Sequence, residues 1–283
     1  KPISTSRGSL PPVWTLTQQC VATLNGHASR VHFVRQFADG RLVSCSNSLN
    51  IREWDLGKPD KQQCVATLNR HNDWELLVFP LANERFASTC FDYAIKVWDL
   101  SKPPGQQCVA TLNGHTLLVR SVMALGDGRL ASVSNDKTIR VWDLSYPEGQ
   151  QCVATLNGHT AKVLCITEFP GGRLASGSID KTIRVWDPGK PDGQQCVATL
   201  GGHTDCVTLV VIVLADGRLA SGGTDCTIKI WDLSKPDGQQ CVATLGGHTG
   251  CVKSVIVLAD GRLASASIDG TIKIWDLSKP DEQ

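Results

Sequence analysis

A heptapeptide, Gln-Gln-Cys-Val-Ala-Thr-Leu, begins at Gln18, Gln62, Gln106, Gln150, Gln194 and Gln239, so the chain repeats every 44 residues, with one step of 45. A unit this short cannot bury its own apolar face and must stack on copies of itself, so the period decides the architecture ahead of any local propensity. The unit is clearest over residues 158–187. Gly158-His159 opens it, Leu174-Ala175-Ser176-Gly177-Ser178-Ile179-Asp180 follows, and Thr182-Ile183-Arg184-Val185-Trp186-Asp187 closes it. A chain of 283 residues would otherwise suggest about two domains. The repeat predicts one, over residues 18–283. A linker or surface arm at 1–17, with Pro11-Pro12 and no repeat, precedes it.

Each repeat reads as four short strands. Cys-Val-Ala-Thr-Leu has the alternation of a partly exposed strand, and an apolar run such as residues 252–258 suits burial on both faces. Ala259-Asp260-Gly261-Arg262 supplies a tight hairpin, since Gly tolerates the positive φ that such turns need. Arg-Leu-Ala-Ser makes the next strand. A turn at Asp269-Gly270 leads into Thr271-Ile272-Lys273-Ile274-Trp275, which puts the two isoleucines on one face and the indole on the other. Ser-Lys-Pro-Asp-Gly then turns the chain into the following repeat.

Four-stranded units with Gly-His near the start and Trp-Asp at the end resemble the WD40 family, and the resemblance covers nearly all of residues 18–276. It implies an all-β fold, a β-propeller of six four-stranded blades. In that topology the outer strand of each blade comes from the following repeat, so residues 20–24 are expected to pair with 271–275 and close the ring. Seven blades, the commoner number in the family, would need more than the seventeen leading residues supply.

The resemblance also implies a hydrogen-bonded set inside each blade, made of the turn His, a strand Ser, the hairpin Asp and the Trp. The matching residues are His71, Ser88, Asp92 and Trp98; His115, Ser132, Asp136 and Trp142; His159, Ser176, Asp180 and Trp186; His203, Ser221, Asp225 and Trp231; and His248, Ser265, Asp269 and Trp275. The first repeat has His27, Ser44 and Trp54 but Ser48 in place of Asp, so its blade is expected to be the weakest. Ser, His and Asp also spell a hydrolase triad. A nucleophile, however, needs one exposed position beside an oxyanion hole, whereas this set recurs in every repeat with a Trp that favours burial. A structural role is the better reading.

The 28 basic and 27 acidic residues nearly cancel without forming blocks, which argues against nucleic acid or an anionic membrane as partner. The longest uncharged apolar run, residues 206–215 apart from its threonine, is about half of a bilayer-spanning helix. No basic stretch, apolar run and small-residue cleavage site open the chain, so a secretory leader is not expected. Of the 12 cysteines, six (Cys20, Cys64, Cys108, Cys152, Cys196 and Cys241) are one repeat position copied, which predicts free thiols in a reducing compartment, the cytoplasm or the nucleus. Cys206 and Cys226 give two thiols near one end of a blade. That is short of a zinc site, and they read as small buried hydrophobes. No metal and no cofactor is expected.

If the shared residues build a frame, function belongs where repeats depart from it. Repeats 4 to 6 stay close to the pattern, and repeat 2 departs most. Around its two turns it carries Arg70, Asp73, Trp74, Glu75, Phe91 and Tyr93, and neighbouring repeats add Arg30, His32 and Leu49 on one side and Leu117, Leu118 and Arg120 on the other. Aromatic residues and Arg are favoured interface anchors. These residues therefore predict a non-catalytic, monomeric scaffold or adaptor that binds a protein or peptide on the rim of blades 1 to 3. Narrower versions are a reader of methylated lysine, with Trp74, Phe91 and Tyr93 around the cation beside Asp73 or Glu75, or of phosphorylated peptides, through Arg30, Arg70 and Arg120. A propeller enzyme with a central-channel site is the alternative, for which His32 and Glu168 are the scattered candidates. WD40 substrate receptors that dock on a cullin adaptor often carry Arg two places after the Trp-Asp dipeptide. Here Gly57, Ser101, Ser145, Gly189, Ser234 and Ser278 stand there, which argues against that role. Repeat 5 holds one extra residue within 207–214, expected as a β-bulge.

Overall fold

The computed structural model describes residues 20, 22–36, 40–46, 51–59, 62–68, 77–81, 85–89, 91–103, 105–169 and 171–278, with backbone alone at 32, 33, 35 and 208–211. Six antiparallel sheets follow one another along the chain. The first holds β1 (Val31–Gln36), β2 (Leu42–Ser46), β3 (Ile51–Trp54) and β4 (Cys64–Leu68). The second holds β5 (Leu77–Pro80), β6 (Arg85–Thr89), β7 (Ile95–Asp99) and β8 (Cys108–Leu112). The third and fourth are β9 (Val119–Ala124), β10 (Leu130–Ser134), β11 (Ile139–Trp142) and β12 (Cys152–Leu156), then β13 (Val163–Phe169), β14 (Arg173–Ser178), β15 (Ile183–Trp186) and β16 (Cys196–Leu200). The fifth holds β17 (Val207–Val213), β18 (Leu219–Gly223), β19 (Ile228–Trp231) and β20 (Cys241–Leu245), and the sixth β21 (Val252–Val257), β22 (Leu263–Ser267) and β23 (Ile272–Trp275). In every four-stranded sheet the outermost strand is the Cys-Val-Ala-Thr-Leu segment of the following repeat.

The period-2 pattern decides which side chains face the neighbouring sheet. Along β15, Ile183 and Val185 point into a cluster with Leu219 and Trp231 of the next blade. Equivalent clusters join blades 1 and 2, 2 and 3, 3 and 4, and 5 and 6. Each fully buried side chain of this size contributes about 1.5–3 kcal/mol. The first strands lie side by side from blade to blade: β13 packs against β9 and β17, and β17 against β21. The bulge expected in repeat 5 is present. Between Val207 and Val210 the register to β18 advances by three residues, where the matching step in β13, from Val163 to Cys165, is two.

Closure differs from expectation. The sixth sheet has three strands among the described residues, and residues 20 and 22–24 lie in no strand, so the pairing of 20–24 with 271–275 is not seen. Both ends of the array expose what interior blades bury. Ile272 and Ile274 are 73% and 50% exposed, although their counterparts Ile183 and Val185 are buried, and Val31 and Val34 of β1 are also in water. The physical reason is that a blade's two faces are covered by the blades before and after it in the chain, and no described blade precedes the first or follows the sixth.

Between interior blades, packing is matched pair by pair. Cys165 lies opposite Gly177 in blade 4, whereas Ser121 lies opposite Val133 in blade 3. A Cβ at Gly177 would sit 2.6 Å from Val207 Cγ1 and 2.8 Å from Cys165 Sγ. Gly177→Val is therefore expected to cost about 1–3 kcal/mol by overpacking. Adding Cys165→Ser, which restores the pair found in blade 3, should recover part of that loss. Urea unfolding of the two variants checks this, and a Gly177→Val protein as stable as its parent would contradict it.

Candidate functional site

The recurring polar set closes in four blades as a continuous relay. In blade 4, Trp186 Nε1 donates to Ser176 Oγ at 2.8 Å, Ser176 Oγ meets His159 Nε2 at 2.8 Å, and His159 Nδ1 meets Asp180 Oδ2 at 2.7 Å. Blades 3, 5 and 6 repeat it around Ser132, Ser221 and Ser265. One proton order satisfies every member. The indole donates to the hydroxyl, the hydroxyl to Nε2, and the Nδ1 proton to the carboxylate, with the imidazole neutral. The serines are buried and their oxygens already accept an indole proton, so the Ser-His-Asp sets are out of reach of a substrate. In blade 1 Ser44 Oγ keeps His27 Nε2 and Trp54 Nε1, each at 2.7 Å, and in blade 2 Trp98 donates to Ser88 at 2.7 Å. Ser48 and His71 lie outside the described residues.

Sequence reasoning missed one member of this frame. Thr182 donates its hydroxyl to Asp180 Oδ1 at 2.6 Å, and Thr138, Thr227 and Thr271 do the same to Asp136, Asp225 and Asp269. Its signal was a Thr two places after the Asp in repeats 3 to 6, where repeat 2 has Ala94. Also missed was the ion pair of Arg41 with Glu53, a buried carboxylate where other repeats hold Val or Ile. The serines standing where a cullin-docking Arg would be are themselves engaged. Ser145 gives its amide and hydroxyl to Asp143 Oδ1, as Ser101, Ser234 and Ser278 do to the preceding Asp.

Burial sets the electrostatics of the frame. It holds His159 and His203 below the usual imidazole value, against the opposing pull of Asp180 and Asp225. For Asp180 burial acts to raise the carboxyl, but Thr182, His159 and the Thr160 amide outweigh it and hold the group at about 2. Asp136, Asp225 and Asp269 are lowered as well, the first two against burial and the last led by the Thr271 hydroxyl.

On this frame the turns before each first strand and before each third strand meet at one end of the blade. In blade 3, Ser134 Oγ donates to Leu117 O at 2.9 Å and Asn135 N to Leu118 O at 2.9 Å. Residues expected to bind a partner therefore share this end. Phe91 and Leu117 are 41% and 44% exposed, Arg30 is exposed, and Tyr93 is half-buried. Tyr93 occupies a hairpin position with φ 62°, matched by Lys137, Lys181, Cys226 and Gly270, all at positive φ. Four expectations need correcting. Leu118 is buried, because it ends the turn and its carbonyl is tied to the hairpin at Asn135 N, and Arg120 is half-buried with Nε on Asn135 Oδ1 at 2.8 Å. Glu168, a channel candidate, instead accepts the Gly126 amide of blade 3 at 2.8 Å. Cys206 and Cys226 are half-buried, not buried. Leu49, Arg70, Asp73, Trp74, Glu75 and the side chain of His32 lie outside the described residues.

A family model described as WD domain, G-beta repeat, matches residues 18–55, 106–143, 150–187, 194–232 and 239–276, well over half of the chain. The stretch it leaves between the first two matches contains the second repeat. No curated protein matches the chain.

The lowered histidines and carboxylates act in one direction on stability. Below the unfolded imidazole value of 6.5, unfolding takes up protons that the buried His159 and His203 decline. Below the unfolded carboxyl value of 3.8 it takes up those that Asp180 and Asp225 decline. Stability is thus fully present above pH about 6.5, falls as the pH drops through the lowered histidine values, and falls again below about 4. Urea midpoints measured from pH 8 down to about 3 should trace both losses, and a midpoint that stays level below pH about 6.5 would rule out the histidine contribution.

Proposed function

Because this chain belongs to the WD40-repeat family, we propose that it is a non-catalytic scaffold that binds a protein or peptide partner on the turn end of blades 1 to 3. The observation that carries this reading is the exposure of Phe91 and Leu117 at that end. Apolar and aromatic anchors bury much area while freezing few torsions. The near cancellation of 28 basic and 27 acidic residues favours such a partner over nucleic acid. Its setting in this reading is the reducing cytoplasm, where the described cysteines stay free.

A ring closed at six blades belongs to the same reading. Five blades take their outer strand from a Cys-Val-Ala-Thr-Leu segment, and residues 20–24 are such a segment, of which the described residues 20 and 22–24 lie in no sheet, while Ile272 and Ile274 are exposed apolar side chains.

Tyr93 offers a clean probe of binding, because its positive φ strains any side chain with a Cβ. Tyr93→Gly is expected to leave stability unchanged or raise it by up to about 1 kcal/mol. The variant combining Tyr93→Gly with Phe91→Ala should lose a specific partner that the parent captures from a lysate, with an unaltered far-ultraviolet spectrum. Identical capture by both would refute this surface. Closure has its own readout. In a closed ring Ile272→Asp costs about as much as Ile183→Asp, on the order of 3 kcal/mol or more, whereas an Ile272→Asp protein within about 0.5 kcal/mol of its parent means that the face stays in water.

A further inference from the structure

At the turn end of the boundary between blades 5 and 6 the chain places two thiols that no part of the frame uses. Cys226 occupies the positive-φ hairpin position of blade 5, with φ 67°. Cys251 stands in the turn that leads into β21 of blade 6. One blade earlier, the residue matching Cys226 is Lys181, whose Nζ crosses the blade boundary to Thr204 O at 2.9 Å. The side chain at this hairpin position therefore reaches the entry turn of the following repeat, and at the next boundary a thiol stands in place of the ammonium.

Both sulfurs converge on one acceptor. Cys226 Sγ donates to Thr224 O at 3.6 Å and Cys251 Sγ to the same oxygen at 3.8 Å, which puts the sulfurs no more than about 7.4 Å apart. Both cysteines are half-buried, so a small reagent can reach them. The Cys226 thiol is held above its ordinary value by partial desolvation and then by the neighbouring Cys251, Asp225 and Asp269. A third thiol, Cys206, belongs to the same blade as Cys226 and is tied through its backbone, its carbonyl accepting Thr224 N at 2.9 Å.

We propose that Cys226 and Cys251 form a dithiol site that reacts with small-molecule disulfides and closes to a disulfide linking blade 5 to blade 6. The thiolate of one cysteine attacks a sulfur of the reagent, forming a mixed disulfide and expelling one thiolate. The second cysteine, once deprotonated, attacks the protein sulfur of that mixed disulfide and expels the other half as thiolate. Net, two protein thiols become one disulfide, one reagent disulfide becomes two thiols, and the two protons pass to the expelled thiolates. The bond requires the sulfurs to leave their shared acceptor and meet at about 2.05 Å, with their Cα atoms no more than about 7 Å apart. This site lies on blades 5 and 6, away from the partner surface on blades 1 to 3, and stands independently of it.

The test treats the folded protein with glutathione disulfide at pH about 8.5, where an ordinary thiol is half ionised. Acid quenching, alkylation under denaturing conditions and trypsin digestion follow, and cleavage after Lys229 separates the two cysteines. The expected product is a peptide pair joined through Cys226 and Cys251, with the loss of two hydrogens from the intact mass and of two thiols from the free-thiol titre. Cys206→Ser should leave the product unchanged, while Cys226→Ser and Cys251→Ser should each abolish it. Glutathione retained separately on Cys226 and Cys251, a Cys206–Cys226 linkage, or two unmodified thiols would each overturn the proposal.

Discussion

A small sheet with two apolar faces has only its neighbours to put them against, and that constraint governs the whole molecule. Ile183 and Val185 are buried because Leu219 and Trp231 of the next blade cover them, and the same holds at each interior boundary. Among the described residues no blade contains a core of its own. The clusters straddle pairs of blades, so stability resides in the boundaries. The exposed isoleucines of β23 show what an unmet face looks like in the same sequence context.

Within that packing, one serine hydroxyl per blade solves a polar problem. An indole buried against the next sheet brings an N–H that must find an acceptor, and Ser176 Oγ supplies it while passing its own proton to His159. The close approach this demands is visible at Gly158, where a Cβ would lie 3.1 Å from the Trp186 ring. The relay consumes the Ser, His and Asp chemistry inside the blade, and side chains left in water lie on the turns, Phe91 and Leu117 among them.

The 44-residue period and the alternation in Thr-Ile-Arg-Val-Trp made the strands legible in the sequence, because both are local pattern repeated along the chain, whereas the strand order and the polar relay came from the resemblance to WD40 repeats. What was not legible depended on contacts between unlike positions. Leu118 looked like a rim residue from its place before a strand, yet its side chain turns into the core beneath the hairpin. Glu168 looked available until the neighbouring blade's Gly126 amide was seen to occupy it. The buried Glu53 carboxylate is intelligible only with Arg41 beside it, a pairing across twelve residues that no period announces. The thiol pair is of the same kind, since it joins a hairpin of one repeat to the entry turn of the next.

The lending of each outer strand to the preceding blade also has a consequence for synthesis. As the chain leaves the ribosome, the sheet of β13, β14 and β15 stays open-edged until residues 196–200 emerge, and only then is its last row of backbone groups paired. Each of the first five blades is thus finished by its successor, and the growing chain presents one unpaired edge until that strand emerges. Since the strand that fits that edge is nearly the same in all repeats, two nascent chains on one message carry interchangeable parts. The order of emergence, more than any difference in sequence, then selects the correct partner for each edge.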